Sequence, residues 1–204
     1  MPAAGKKRLL FVCMGNICRS PTAEKVMRRL LADRGLEDRL EVASASTTRY
    51  HAGDPPDPRM RRAAGRRSYQ LDGQARQVMP EDFARYDLIL AMDRENLDDL
   101  AELAAARVDG GGRPARDAGG GSRREDAGSP RRTDGTGSAP RAELRLFGDF
   151  LPPGSPRDVP DPYYGGERGF EDVLDLIERA CPKIIEHLLK EVARTKEPLA
   201  ELLN

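Results

Sequence analysis

The chain has 204 residues, enough for one well-buried core, and its 34 Lys and Arg are balanced by 34 Asp and Glu. With that balance no global field draws it to nucleic acid or to an anionic membrane, so any anion preference must be local. Three cysteines make no disulfide framework, and the apolar run in "MPAAGKKRLLFVC" is too short for a signal-peptide core or a membrane span. These features predict a single domain over 1–204, cytoplasmic, with reduced thiols.

The run "RLLFVC", 8–13, predicts a strand buried on both faces. Ser20 followed by Pro21 reads as a helix start, with the hydroxyl as cap, and Ala23, Val26, Met27, Leu30 and Leu31 then recur at helical spacing until Gly35. "LEVASAS", 40–46, reads as a second strand, and the turn-rich "GDPPDPR", 53–59, leads into a short polar helix around Met60 to Gly65. "YDLILAMD", 86–93, predicts the next buried strand, with Asp93 capping a helix that carries Leu97, Leu100 and Leu103. The segment 107–141 holds nine glycines, eight arginines and one large aliphatic residue, which predicts a disordered Arg/Gly-rich insertion. "ELRLFGDF", 143–150, supplies a last short strand. A final helix follows with Phe170, Val173, Leu174, Ile177, Cys181, Ile184, Ile185, Leu188 and Val192 on one stripe, where Pro182 is expected to kink or split it. Strands alternating with helices imply an α/β fold with a parallel sheet covered on both faces.

The stretch "VCMGNICRSP", 12–21, carries the chemistry. A loop passing from a buried strand into a helix aims several unpaired backbone N–H groups at one point, and the helix N-terminus adds positive potential. Gly15 permits a tight turn, Asn16 tolerates a left-handed conformation, and Arg19 offers a planar fork matched to two phosphate oxygens. Cys13 at the floor of that seat is favoured as a thiolate by the same dipoles and by Arg19. A thiolate beneath a bound phosphate is an in-line nucleophile, so the reaction class is phosphoryl transfer to cysteine and then to water. Arg19 and the loop amides neutralise the equatorial oxygens without a metal or any other cofactor, and Ser20 can donate to the sulfur as it leaves.

These residues, with "GDPPDPR", "ILAMDRENLDDL" at 89–100 and "DPYYGG" at 161–166 in the same order, resemble the low-molecular-weight protein tyrosine phosphatase family. The resemblance implies a three-layer, doubly wound sandwich around a four-stranded parallel sheet, with the phosphate-binding loop after the first strand. It also implies hydrolysis of phosphotyrosine in protein partners, and of small aryl phosphates, through a phosphocysteine intermediate. It makes Cys13 the nucleophile, Arg19 the phosphate clamp and Asp161 the general acid, with Met14, Gly15, Asn16, Ile17, Cys18 and Ser20 forming the phosphate seat. A phenolate leaving group does call for an acid of this kind, whose carboxylate can then activate water. Tyr163 and Tyr164 match the paired tyrosines that wall the family's cleft and are phosphorylated in some members. Tyr50 stands near the opposite wall, where stacking would favour an aryl substrate; packing at a loop edge is the alternative for it.

Other residues carry two readings or none. Cys18 matches the family's second thiol, which can trap an oxidised Cys13 as a disulfide, and simple packing behind the loop is its other reading. Cys181 reads as core, and His51 and His187 as surface residues without metal-ligand spacing. Ser46 replaces a glycine usual in the family and is expected to alter the strand end beside the loop. The insertion reads as a solvated spacer, five acidic residues offsetting its eight arginines, with weak binding of acidic partners or RNA as the second reading. Three rival functions share these features: an arginine phosphatase of the same fold, an arsenate reductase, and a non-catalytic module that binds phosphorylated partners. Ile17 in place of threonine, the absence of a second redox cysteine pair, and the intact Cys13, Arg19 and Asp161 weigh against each in turn.

Overall fold

The computed structural model describes residues 6–108 and 142–194. Its elements in order are β1 (Lys7–Cys13), α1 (Arg19–Asp33), β2 (Leu40–Ser46), α2 (Pro58–Arg66), α3 (Asp82–Arg85), β3 (Leu88–Ala91), α4 (Arg94–Val108), β4 (Glu143–Leu146) and α5 (Glu167–Arg194), with single 3-10 turns at Phe147–Phe150 and Pro162–Tyr164. The strands form one parallel sheet in the order β2-β1-β3-β4.

Alternate residues of β1 feed two separate cores, because successive side chains on a strand point to opposite faces. Leu9 and Phe11 pack with Val26 and Met27 of α1, Met60 of α2 and the α5 stripe. Leu10 and Val12 pack with Phe83, Tyr86 and Leu100 from α3 and α4. Helices thus cover both faces, and the fold is the expected three-layer α/β sandwich. β1 lies between β2 and β3, so the chain departs from it to one side and later returns to the other. At such a switch point a crevice opens beyond the strands' carboxyl ends, and the loop 14–18 occupies it.

Several local expectations change. α1 begins at Arg19 with Cys18 as its cap residue, and no side chain caps it; the Ser20 hydroxyl is turned instead toward the Cys13 sulfur. Gly35 does close the helix, at φ +62. β3 is limited to Leu88–Ala91: Tyr86 packs into the second core, and Asp93 caps α4 by accepting from the Asn96 amide at 2.8 Å. The predicted strand over 143–150 stops at Leu146 and tightens into the 3-10 turn. Pro182 sits inside one continuous α5 rather than splitting it. The missing bond costs about 3 kcal/mol, whereas Val173, Leu174, Ile177, Ile184, Ile185 and Leu188, all buried on both sides of it, each contribute about 1.5–3 kcal/mol. α4 extends through Arg107 and Val108, and the rest of the expected insertion, 109–141, lies outside the described residues. Among the described residues no helix is long and apolar enough to cross a membrane.

Candidate active site

Cys13 ends β1 in register with Ser46 of β2 and is only 2% exposed. The chain then turns through Asn16, which takes the expected left-handed conformation at φ 55. That geometry brings the Asn16 amide N–H onto the Cys13 sulfur at 3.3 Å. The side-chain amide of Asn16 fixes the rest of the floor. Its Oδ1 accepts from the Arg76 backbone N–H at 3.1 Å, so its Nδ2 faces Ser20 and donates to Oγ at 2.9 Å. With Oγ thus engaged as an acceptor, the Ser20 proton is left to point outward, toward Cys13 Sγ at 3.0 Å or Ala45 O at 3.2 Å.

Gly15 meets a constraint beyond the expected turn. Its φ is not in the left-handed region; a Cβ there would lie 3.0 Å from Cδ2 of His51 and would crowd that ring. His51, read from sequence as a surface residue, is half-buried on the cleft wall, with Nδ1 3.0 Å from Asp54 Oδ2 and its ring 6.4 Å from that of Tyr163. His187, by contrast, lies away from the cleft, its ring edge-on to Phe150.

Arg19, 2% exposed, is anchored on three sides. Nη1 donates to Asp93 Oδ2 at 2.5 Å and to Val159 O at 3.2 Å, and Nη2 donates to Asp161 Oδ2 at 3.1 Å. Burial alone would lower its affinity for a proton, but the Cys13 sulfur, Asp161 and Asp93 outweigh that and hold the guanidinium above its ordinary pKa. Asp161 in turn caps the 3-10 turn at Pro162–Tyr164 by accepting from the Tyr163 amide at 3.1 Å.

A cleft of about 250 Å³ opens above this floor. Met14, Ile17 and Cys18 line it from the loop; Tyr50, Tyr163 and Tyr164 wall it, with Asp161 at the rim beside Arg19. Tyr50 and Tyr164 are 83% and 90% exposed, so both aromatic walls are open to an incoming ring. Cys18 is 4% exposed, and burial, followed by the neighbouring Asp57 carboxylate, pushes its thiol far above the ordinary range. Cys13, Cys18 and Cys181 are all free thiols, and Cys181 is fully buried in the first core as expected.

Sequence reasoning missed the residues that brace these walls. Asp57 caps α2 through the Arg59 and Met60 amides and binds the Arg59 guanidinium at 2.8 Å. Burial would raise its pKa, yet these bonds keep it below the usual carboxylate range. Arg59 donates to Tyr163 O at 3.0 Å and lies 4.9 Å from the Tyr163 ring centre, tying α2 to the loop that bears Asp161. Proline after an aspartate did signal the cap; nothing in the sequence signalled Arg59's partner 104 residues away. Ser46, expected to disturb the strand end, leaves β2 intact: its hydroxyl lies 2.8 Å from both Thr48 O and Arg76 O.

Comparison with known proteins decides the family. Residues 8–110 and 126–194 match the model of the low molecular weight phosphotyrosine protein phosphatases. The chain belongs to that family. Its activity is that of a protein-tyrosine phosphatase, a hydrolase acting on phosphoproteins. A Synechocystis sp. relative is 39% identical over 185 residues, covering 91% of this chain and 98% of its own. The low molecular weight protein-tyrosine-phosphatase of Streptomyces coelicolor is 36% identical over 187 residues, 91% of this chain and 95% of its own. Among solved structures, the protein tyrosine phosphatase of Entamoeba histolytica superposes with a TM-score of 0.71 at 34% identity, covering 91% of this chain and 99% of its own. Family membership accounts for the four-stranded order observed here.

Proposed function

We propose that Cys13, Arg19 and Asp161 hydrolyse phosphotyrosine in protein substrates through a phosphocysteine intermediate, in the cytoplasm, where free thiols such as these three persist. The observation that carries this reading is the sulfur itself. It sits at the floor of a cleft with the Asn16 amide and the Ser20 hydroxyl against it, and the one guanidinium that lines that cleft among the described residues, Arg19, is bonded to a carboxylate at the rim.

A phosphate entering the seat competes with Asp161 for Nη2 of Arg19, and its arrival frees the carboxyl group to meet the leaving oxygen. Cys13 Sγ then attacks phosphorus, the bond from phosphorus to the phenolic oxygen breaks, and the Asp161 proton passes to that oxygen. In the second step a water gives its proton to the Asp161 carboxylate and attacks phosphorus as the S–P bond breaks, releasing inorganic phosphate. Ser20 donates to the departing sulfur. Arg19 and the loop amides neutralise the equatorial oxygens throughout. The aromatic walls Tyr50, Tyr163 and Tyr164 favour an aryl phosphate, which can stack on them, over phosphoserine.

The test is a phosphatase assay on phosphotyrosine, phosphoserine and phosphoarginine with wild type and Cys13→Ser. Wild type should prefer phosphotyrosine, and the variant should lose turnover while still binding phosphate. Substantial turnover by Cys13→Ser would remove the nucleophile from the mechanism.

A further inference from the structure

A second groove, of about 530 Å³, lies beside α2 and has no part in the chemistry above. Pro58, Arg61, Arg62, Ser68, Tyr69 and Leu71 line it. The arginines of α2 and the turn after it divide sharply. Arg59 is paired with Asp57, Arg66 with Glu171, and Arg67 with Glu171, Asp175 and Glu178. Arg61 and Arg62 are exposed, face the groove, and have no ion pair among the described residues. In a chain of zero formal charge, two adjacent unneutralised guanidiniums over a formed groove are a local anion preference.

The groove is built in advance. Its Tyr69 wall is fixed by a bond from the hydroxyl to Glu178 at 2.9 Å, and Ser68 turns the chain after α2 at φ 63. Arg67, between them and α5, is held at 2.8 Å by both Glu171 and Glu178. A surface already ordered loses little entropy when it binds.

Its position relative to the cleft identifies the occupant. Arg59, in the first turn of α2, touches Tyr163 on the cleft wall. Arg62 follows one turn later, about 4.5 Å along the axis. An extended polypeptide covers about 3.3 Å per residue, so a chain whose phosphotyrosine fills the cleft and which leaves it past Tyr163 comes to α2 within a few residues. We infer that this groove is a second contact surface for protein substrates, in which Arg61 and Arg62 receive acidic side chains three to five residues from the phosphotyrosine. The inference rests on the phosphotyrosine reading above. It adds a preference that the catalytic cleft alone does not supply, since among the described residues the cleft offers aromatic walls and one, already engaged, guanidinium.

The experiment compares wild type with Arg61→Ala/Arg62→Ala on three substrates: p-nitrophenyl phosphate, a phosphotyrosine peptide with glutamates at three to five positions on both sides, and the same peptide with glutamines there. Wild type should show a lower KM for the acidic peptide than for the neutral one. The double variant should raise that KM by roughly two- to thirtyfold, the range for two exposed charge pairs, with p-nitrophenyl phosphate and the neutral peptide unchanged. The acidic preference in wild type should shrink as salt rises from 0.05 to 0.5 M, a range over which the screening length falls to about 4 Å. Charge reversal provides an independent check: Arg61→Glu/Arg62→Glu should prefer a lysine-flanked peptide. Equal KM changes for acidic and neutral peptides, or no acidic preference in wild type, overturn the inference. Failure of wild type to hydrolyse p-nitrophenyl phosphate or either peptide would instead overturn the phosphotyrosine reading itself.

Discussion

Removing the Ser20 hydroxyl separates the two chemical steps. Asn16 Nδ2 donates to Oγ at 2.9 Å, and Oγ lies 3.0 Å from the Cys13 sulfur, so the hydroxyl relays an ordered dipole from the loop to sulfur. In the second step the sulfur regains negative charge as the S–P bond breaks, and a bond to a charged acceptor is worth about 1.5–3 kcal/mol. Ser20→Ala withdraws it, leaving the Asn16 amide as the remaining donor to sulfur within the loop. Hydrolysis of the phosphocysteine should therefore slow by roughly 10- to 150-fold, while attack by the thiolate, which loses charge, is slowed far less. The substitution also strands Asn16 Nδ2, 3% exposed at the residue level, at a folding cost of about 1–3 kcal/mol. Stopped-flow release of p-nitrophenolate should show a burst approaching one equivalent per chain, followed by a slow steady state common to good and poor leaving groups. A kcat within twofold of wild type, or a decrease that tracks leaving-group pKa, would refute the assignment of this hydroxyl to the second step.

Asp161→Asn should lower kcat on phosphotyrosine by about 10²–10⁴-fold and much less on strongly activated phenols; equal losses across a leaving-group series would deny it the role of acid. Iodoacetamide at pH 8 should label Cys13 alone, because Cys18 is held protonated by burial beside Asp57 and Cys181 is fully buried; peptide mapping that finds Cys18 labelled at a comparable rate would contradict this. Tyr69, pushed up to about 12 by burial and by its bond to Glu178, favours folding in its neutral form, so its contribution is complete below its ordinary value and is lost as pH rises through about 12. Tyr69→Phe should therefore cost about 1 kcal/mol in urea unfolding at pH 8, and the deficit should shrink toward pH 12; a deficit independent of pH would show that the hydroxyl bond is not its source.

How much of this site can be read in the sequence depends on how local each interaction is. The proposed phosphate seat is legible because Cys13, Asn16, Arg19 and Ser20 occupy one strand-to-helix turn, where spacing alone brings them to one point. Asp161 is 142 residues from Arg19, and only the family resemblance put it in the site. Asp93 shows the limit more sharply. Its Oδ1 accepts the Asn96 amide, the capping bond that sequence rules anticipate, while Oδ2 accepts from Arg19, a role no local pattern encodes. Ser20 has two local readings: the capping rule, which considers only the backbone of its own helix, does not hold, whereas its hydroxyl does lie 3.0 Å from the Cys13 sulfur, the partner its place in the turn suggests. Gly15 reads as a turn residue, and the fold adds the close approach of a histidine ring supplied from the loop after β2. Asp93 and Gly15 share one feature: beyond a local task, each meets a partner that the folded chain brings from another segment. The same reasoning bears on Arg61 and Arg62. If side chains left without a partner inside the chain are the ones available to a partner outside it, Arg61 and Arg62, adjacent over one groove and neutralised by no described carboxylate, mark where a substrate's own acids should bind.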